Sequence, residues 1–205
     1  MNLATIALKN TRRNLFRTLL TILGVAVAML AFLLLRTVLS AWLVGVEYSA
    51  KDRVATRHKV TFVMTLPRRY VDDAANLPGV KGVTWFNWFG AHVPGKEDQF
   101  FGNFAIDPKS FFGVYDEVAL PPDQKSRFLD DRRGAIVGLQ LARQFGWKVG
   151  DHVTLEGTIY PGMWEFNIDG IYSSTRKSLD QSSFYFHWDY LNDSVPDAQK
   201  EQVGW

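Results

Sequence analysis

Residues 90–96, GAHVPGK, fill the first seven positions of the phosphate-binding pattern G-x-x-x-x-G-K-[ST], in which backbone N–H groups cradle phosphates and the lysine reaches them. The eighth position requires a hydroxyl to ligate Mg²⁺, and here it is Glu97. The next residues, EDQFFGNF, do not open a helix whose N-terminus could hold an anion, so the stretch is expected to be a turn between two strands. The four histidines, His58, His92, His152 and His187, are scattered, with no i,i+4 pair and no neighbouring cysteine, which gives no zinc-binding spacing. The acid pairs Asp72-Asp73 and Asp130-Asp131 lie in polar segments and read as solvated surface, and no G-x-S-x-G elbow occurs. The chain therefore reads as no enzyme, with no catalytic, cofactor-binding or metal-binding residues.

The most unusual composition lies in residues 85–112, where nine of 28 residues are aromatic: Trp85, Phe86, Trp88, Phe89, Phe100, Phe101, Phe104, Phe111 and Phe112. Adjacent aromatic residues on a strand point to opposite faces. Such pairs call for burial on both faces or for a hydrophobic surface awaiting a partner or a lipid-like substrate. Core packing is the default account, and Trp85, Trp88, Phe100 and Phe101 are the candidates for partner or substrate contact.

Charge divides the chain unevenly. Residues 1–46 carry five cations (Lys9, Arg12, Arg13, Arg17, Arg36) and no acid; residues 47–69 add six cations against Glu47 and Asp52. From Tyr70 onward 12 basic residues face 19 acidic ones, a net of −7 beneath an overall +2. The balance lacks the strong basic excess of a nucleic-acid binder. The absence of cysteine rules out disulfides, thiol catalysis and thiolate metal sites.

Residues 19–46, LLTILGVAVAMLAFLLLRTVLSAWLVGV, contain one charge, Arg36. As one helix they would reach about 42 Å, more than the roughly 30 Å of bilayer hydrocarbon. Arg36 could snorkel to the far interface, and Trp42 would sit in the aromatic belt. A cleaved signal peptide fits less well, because the apolar stretch exceeds the usual length and no small-x-small site follows closely. Residues 2–18, with Lys9, Arg12, Arg13 and Arg17, suit either a basic amphipathic helix on an anionic leaflet or an ordinary basic flank. Gly24 and Ala28 form a small-xxx-small pair that would permit close helix packing. Four cations precede the span and four (Lys51, Arg53, Arg57, Lys59) follow it, so orientation rests on the ability of a long following domain to translocate, which places the N-terminus inside.

The rest reads as mixed α+β, too irregular for an alternating βαβ series. Strands are expected at 59–66, across 80–93, and at 100–106, 135–137, 152–156 and 183–187; 158–160 and 163–168 are expected to form a hairpin about Pro161-Gly162, with Trp164, Phe166 and Ile168 on one face. Short helices are expected at 70–77, 108–115, 139–145 and 188–191, with another in the polar connector 121–133. The organisation expected is a basic cytoplasmic segment (1–18), a transmembrane helix (19–46) and an extracytoplasmic α+β domain (47–205).

The opening IALKNTRRNLFRTLLTILGVAVAM resembles the start of ABC transporter permeases of the MacB, FtsX and LolC type, with the Arg-Thr-Leu-Leu-Thr-Ile-Leu-Gly run at residues 17–24. AIVGLQLARQFGWKVGDHVTLEG followed by FNIDGIY, within 133–172, resembles the end of that family's MacB-like periplasmic core domain, and NLPGVKGVTWF at 76–86 resembles its early helix-to-strand passage. The resemblance implies a permease of the bacterial inner membrane whose first helix leads into an extracytoplasmic domain. It further implies a separate cytoplasmic ATPase subunit, a permease dimer, a periplasmic adaptor, and coupling of ATP hydrolysis to export or mechanotransmission. The three later transmembrane helices and coupling segment that it also implies fall outside these 205 residues. A single-span anchored sensor or scaffold stands as the other reading of the same architecture.

Overall fold

The computed structural model describes residues 13–48, 53–61, 64–176 and 179–205, with only the backbone for 41–48. The chain divides into two compact units, Met1–Lys51 and Asp52–Trp205.

In the first unit, α1 (Leu15–Tyr48) is a continuous 34-residue helix, about 51 Å long at the standard rise. Its stretch Leu15–Ser40 is long and apolar enough to cross a membrane. Leucine, isoleucine, valine and phenylalanine surround the helix on every side from Leu15 to Leu39 and are exposed, so among the described residues of this unit nothing buries them. Thr21 and Thr37 donate to the carbonyls of Arg17 and Leu33 (2.9 and 2.8 Å), which satisfies both hydroxyls within the helix.

The second unit is a mixed α/β domain. Its elements are β1 (Leu66–Pro67), α2 (Arg69–Ala75), β2 (Phe86–Trp88), β3 (Ala91–His92), β4 (Gly102–Ile106), α3 (Pro108–Val114), β5 (Val118–Ala119), α4 (Pro122–Asp130), β6 (Gly134–Gly138) and α5 (Leu139–Phe145). There follow β7 (His152–Gly157), β8 (Gly162–Ser174), β9 (Ser183–His187), α6 (Trp188–Ser194), a 3₁₀ turn (Asp197–Gln199) and β10 (Gln202–Val203). The main sheet runs β2-β4-β9-β6-β8-β7-β3, with β5 paired to β8. The β4/β9 and β6/β8 pairs are parallel and the others antiparallel.

The two ends of that order are one segment of chain. Residues 86–88 pair with β4 and residues 91–92 pair with β7, so the sheet closes on itself through Phe89 and Gly90. Gly90 makes the bend with φ +62, a left-handed conformation that glycine adopts without steric cost. Asn103 on β4 spans the bend: its amide accepts from Ala91 N (2.9 Å) and donates to Ala91 O (2.8 Å) and Phe101 O (3.1 Å), while its backbone carbonyl accepts from Phe89 N (3.0 Å). Asn103 is buried, and its side chain supplies the bonds a regular ladder would have made.

Two aromatic cores cover the two faces of the sheet. One gathers Phe89, Val137, Leu155, Trp164, Phe166, Ile168, Phe184 and Phe186. The other packs Phe86, Ile106, Ile136, Tyr172 and Tyr185 against Phe111 of α3 and Phe128 of α4. The register of β8 against β6 passes from Ala135↔Ile168 to Ile136↔Gly170, leaving Asp169 as the extra residue of a β-bulge. Trp164, Phe166 and Ile168 therefore enter the first core while Tyr172, which simple alternation would place beside them, enters the second.

Several strand expectations shift. Of 59–66 only Leu66 is in a strand, paired with Val203 of β10; 59–61 is irregular, and Phe62 and Val63 lie outside the described residues. The long run 80–93 is reduced to β2 and β3, because its pairing partners change at Gly90. Residues 158–161 are the hairpin turn itself, and the arm opposite β8 is β7. The helix at 139–145 ends, as expected, on Gly146, whose φ of +75 forms its left-handed cap.

Replacing Asn103 by Leu keeps a side chain branched at Cγ but leaves the N–H and carbonyl of buried Ala91 unpaired. We expect Asn103→Leu to destabilise the domain by about 3 kcal/mol, read from the denaturant midpoint by tryptophan fluorescence; a loss below about 1 kcal/mol would mean the bend holds without the side chain.

Candidate functional site

Two of the adjacent aromatic pairs, Trp88-Phe89 and Phe100-Phe101, split between surface and interior. Phe89 and Phe101 point into the first core, whereas Trp88 and Phe100 stack on each other outside it, centroids 5.9 Å apart and planes 20° from parallel. Trp88 also meets Phe104 edge-on at 5.0 Å. Beside them opens a largely apolar cleft of about 460 Å³ lined by Trp88, Phe104, Ile159, Tyr160 and Trp205, with Asn87 and Thr65 as its polar residues. Phe100 is 76% exposed and Ile159 43%. Trp205 is held by stacking on Phe86 (5.6 Å) and by backbone bonds in both directions with Phe86. Asn87 donates to Gln202 O (3.2 Å), and its Oδ1 is buried without a partner.

Of the four aromatic residues singled out in the sequence, Trp88 and Phe100 come together. Trp85 instead packs edge-on against Trp188 at 5.8 Å with the Arg68 guanidinium over its ring, and its buried Nε1 has no partner. Phe101 is buried against Phe145, Trp147 and Phe184. Arg13, just before α1, and Arg17 and Arg36 on it are exposed, as are Gly24 and Ala28; a Cβ on Gly24 would touch nothing within 4 Å. Arg12 and the side chain of Trp42 lie outside the described residues. Ile159, Tyr160 and Trp205 reach the cleft only through the fold. Trp205 stands more than a hundred residues from Trp88, and no local pattern joins them.

A second constellation lies where the domain's chain begins. The Arg53 guanidinium makes two parallel bonds to Glu117, Nη1 to Oε1 and Nη2 to Oε2, both 2.6 Å, with a third to Asp116 Oδ1 at 3.0 Å. Its plane lies over the Tyr115 ring, 4.7 Å from the centroid. Burial pushes the Glu117 carboxyl up, but the Arg53 bonds together with its own backbone N–H outweigh this and hold it below the usual glutamate range.

The glycine-lysine loop of 90–96 is built as a bend and a turn: Gly90 closes the sheet, and Lys96 N bonds Val93 O while its ammonium sits over Phe145. Among the histidines, His92 is near Glu97 (3.9 Å) and Glu156 (3.5 Å), His152 bonds Asn167, and His187 is buried against the Phe128 carbonyl. Among the described residues no three His, Cys, Asp or Glu side chains gather as a metal site.

A family model described as the MacB-like periplasmic core domain matches residues 18–203. The chain belongs to this family. Solved structures similar to this periplasmic core domain include the extracellular domain of the noncanonic ABC-type transporter YknZ from Gram-positive bacteria, 15% identical with a TM-score of 0.47 over 68% of this chain and 70% of that one. The periplasmic region of MacB from Actinobacillus actinomycetemcomitans is 13% identical, TM-score 0.43, over 63% of this chain and 58% of that one. A domain of a putative permease protein from Porphyromonas gingivalis is 17% identical, TM-score 0.41, over 64% and 58% respectively. No curated protein matches the chain.

Within this core domain the bulge residue Asp169 carries a distinct electrostatic signature. Its Oδ2 is buried without a hydrogen-bond partner. Burial first, and repulsion from Asp131 second, push its pKa from the ordinary 3.8 up to about 6. Asp131 is itself engaged by Asn167 Nδ2 (2.6 Å) and by Arg133 N (2.9 Å). A carboxyl whose pKa is raised by folding favours the folded state most fully below pH 3.8 and loses that contribution as pH rises through about 6. We therefore expect Asp169→Asn to raise the melting temperature at about pH 7.5 and to change it little at about pH 3; an equal effect at both values would show that the carboxylate is not buried as described.

Proposed function

We propose that this chain is the N-terminal portion of an ABC-type transporter permease. In this reading α1 crosses the bacterial inner membrane with the N-terminus in the cytoplasm, and the α/β domain stands outside the membrane. ATP hydrolysis on a separate cytoplasmic subunit moves the helix, and the outer domain carries the motion to a substrate or adaptor for export or mechanotransmission. The single observation that supports it most is continuity: the family match starts at residue 18, inside the membrane-length helix, and runs through the domain to residue 203.

The exposed apolar sides of α1 support lipid and further helices, including a second permease copy, as its surroundings, with Gly24 and Ala28 offering a place of close approach. Arg12, Arg13 and Arg17 would hold the inner interface, and Arg36 with Trp42 the outer one. The organisation that follows is a basic segment at 1–18, a span at 19–46 and the outer domain at 47–205. On that domain the stacked Trp88 and Phe100 beside the cleft are the surface most suited to an adaptor, since exposed aromatic pairs make strong contact anchors.

The test is ATP turnover by the co-expressed neighbouring ATPase in lipid, with the intact permease and with a permease lacking 52–205. We expect turnover to depend on the permease and to change by about fivefold or more when the outer domain is removed. Turnover indifferent to both would overturn the coupling role and favour a scaffold.

A further inference from the structure

Arg53 is the first described residue of the second unit, five residues beyond the end of α1. Its guanidinium is anchored by three short hydrogen bonds to Glu117 and Asp116 and by the Tyr115 ring. Glu117 is buried, and only a fifth of the Arg53 side chain remains exposed. Arg176 bonds the second oxygen of Asp116 (3.3 Å), so the acidic turn is gripped from two sides. The backbone carbonyl of Glu117 accepts from both the N–H and the hydroxyl of Thr175. The next two residues, Val118 and Ala119, pair with Ser174 and Ser173 of β8. That strand is the longest in the sheet and also pairs with β6 and β7. Immediately past Arg53 the anchoring relaxes: Val54 is 93% exposed, and 53–61 has no regular secondary structure.

We propose that Arg53 is the anchor at which displacement of α1 enters the outer domain, passing through Glu117 into β8 instead of running down the linker to β1. This rests on the coupling reading above. The geometry suits the task, because a bidentate guanidinium–carboxylate pair resists both sliding and rotation, and burial of the carboxylate protects the pair from water. Tension on residues 49–52 would meet this anchor before reaching 54–65, and the main sheet would receive it at its best-connected strand.

Slack placed on either side of the anchor tests this without touching the core. A Gly-Ser-Gly-Ser insertion adds about 13 Å of reach. It is placed between Tyr48 and Ser49 in one variant and between Val54 and Ala55 in another, each in the intact permease with its ATPase in lipid. We expect the upstream insertion to cut the domain-dependent share of ATP turnover by about fivefold or more, and the downstream insertion to change it by less than about twofold. Arg53→Ala should match the upstream insertion and Arg53→Lys should fall between, since an ammonium cannot make the two parallel bonds. An equal loss from both insertions would overturn the anchor and assign force entry to the linker and β1, as would a silent upstream insertion. Removal of 52–205 without any effect on turnover would overturn the coupling reading itself, and the anchor with it. The two insertions leave the contacts of Arg53 in place, so they decide the matter even if Arg53→Ala fails to fold.

Discussion

Closure of the sheet at Gly90 is the constraint on which the rest of the domain depends. A single short segment, 86–92, must satisfy β4 at one end and β7 at the other, and no regular strand can do both. The solution is a left-handed glycine with a buried asparagine beside it that donates and accepts where the ladder is broken. Once that seam is made, the order β2-β4-β9-β6-β8-β7-β3 has no free end. Unpaired strand edges invite association with other chains, and here they are consumed internally. The same bend places Phe89 in the first core and Trp88 outside it, so the seam also sets which aromatic residues are structural and which are available for contact.

The bulge at Asp169 is the second device that sorts the cores. Without it, the alternation of β8 from Trp164 to Tyr172 would keep Tyr172 on the face of Trp164, Phe166 and Ile168 and take it out of the second core, where it meets Tyr185 at 5.5 Å. The extra residue reverses the alternation, and Tyr172 crosses to the second core. The cost is a carboxyl group with one buried oxygen unpaired beside another aspartate. A polar residue at a bulge is thus explained by register, with no catalytic role required. It differs in kind from Glu117, whose burial is compensated by Arg53.

What could be read in the sequence follows the range of the forces involved. Local signals were legible. The apolar run of α1, the helix at 139–145 with its glycine stop, and the single buried face of Trp164, Phe166 and Ile168 all came from periodicity and turn chemistry over a few residues. The seam was not legible: a run such as 80–93 reads as continuous extended chain, and nothing in it announces that its partners lie at opposite ends of the sheet. Nor was the short β1, whose partner Val203 lies 137 residues from Leu66. The aromatic band was visible as composition, but its division was not: Trp88 and Phe100 at the surface and Phe101 in the core depend on which residue of each adjacent pair faces inward. Arg53 looked like one of four flanking cations, and its distinction is a contact 64 residues away.

These features together describe a body suited to moving as one piece. Both faces of the sheet are packed with rings whose centroids lie 4.7–6.4 Å apart, an arrangement that leaves little room for side chains to yield. The closed order means that any two of the seven strands β2, β4, β9, β6, β8, β7 and β3 are connected in either direction, through hydrogen-bonded neighbours and the Phe89-Gly90 bend. A displacement entering β8 can reach β4 through β6 and β9 along one side and through β7 and β3 along the other, so it need not be dissipated in a hinge. β4 carries Phe104, and through it the Trp88–Phe100 stack at the rim of the cleft. The aromatic richness of residues 85–112 thus serves packing first, while Trp88 and Phe100 stack on each other outside the first core.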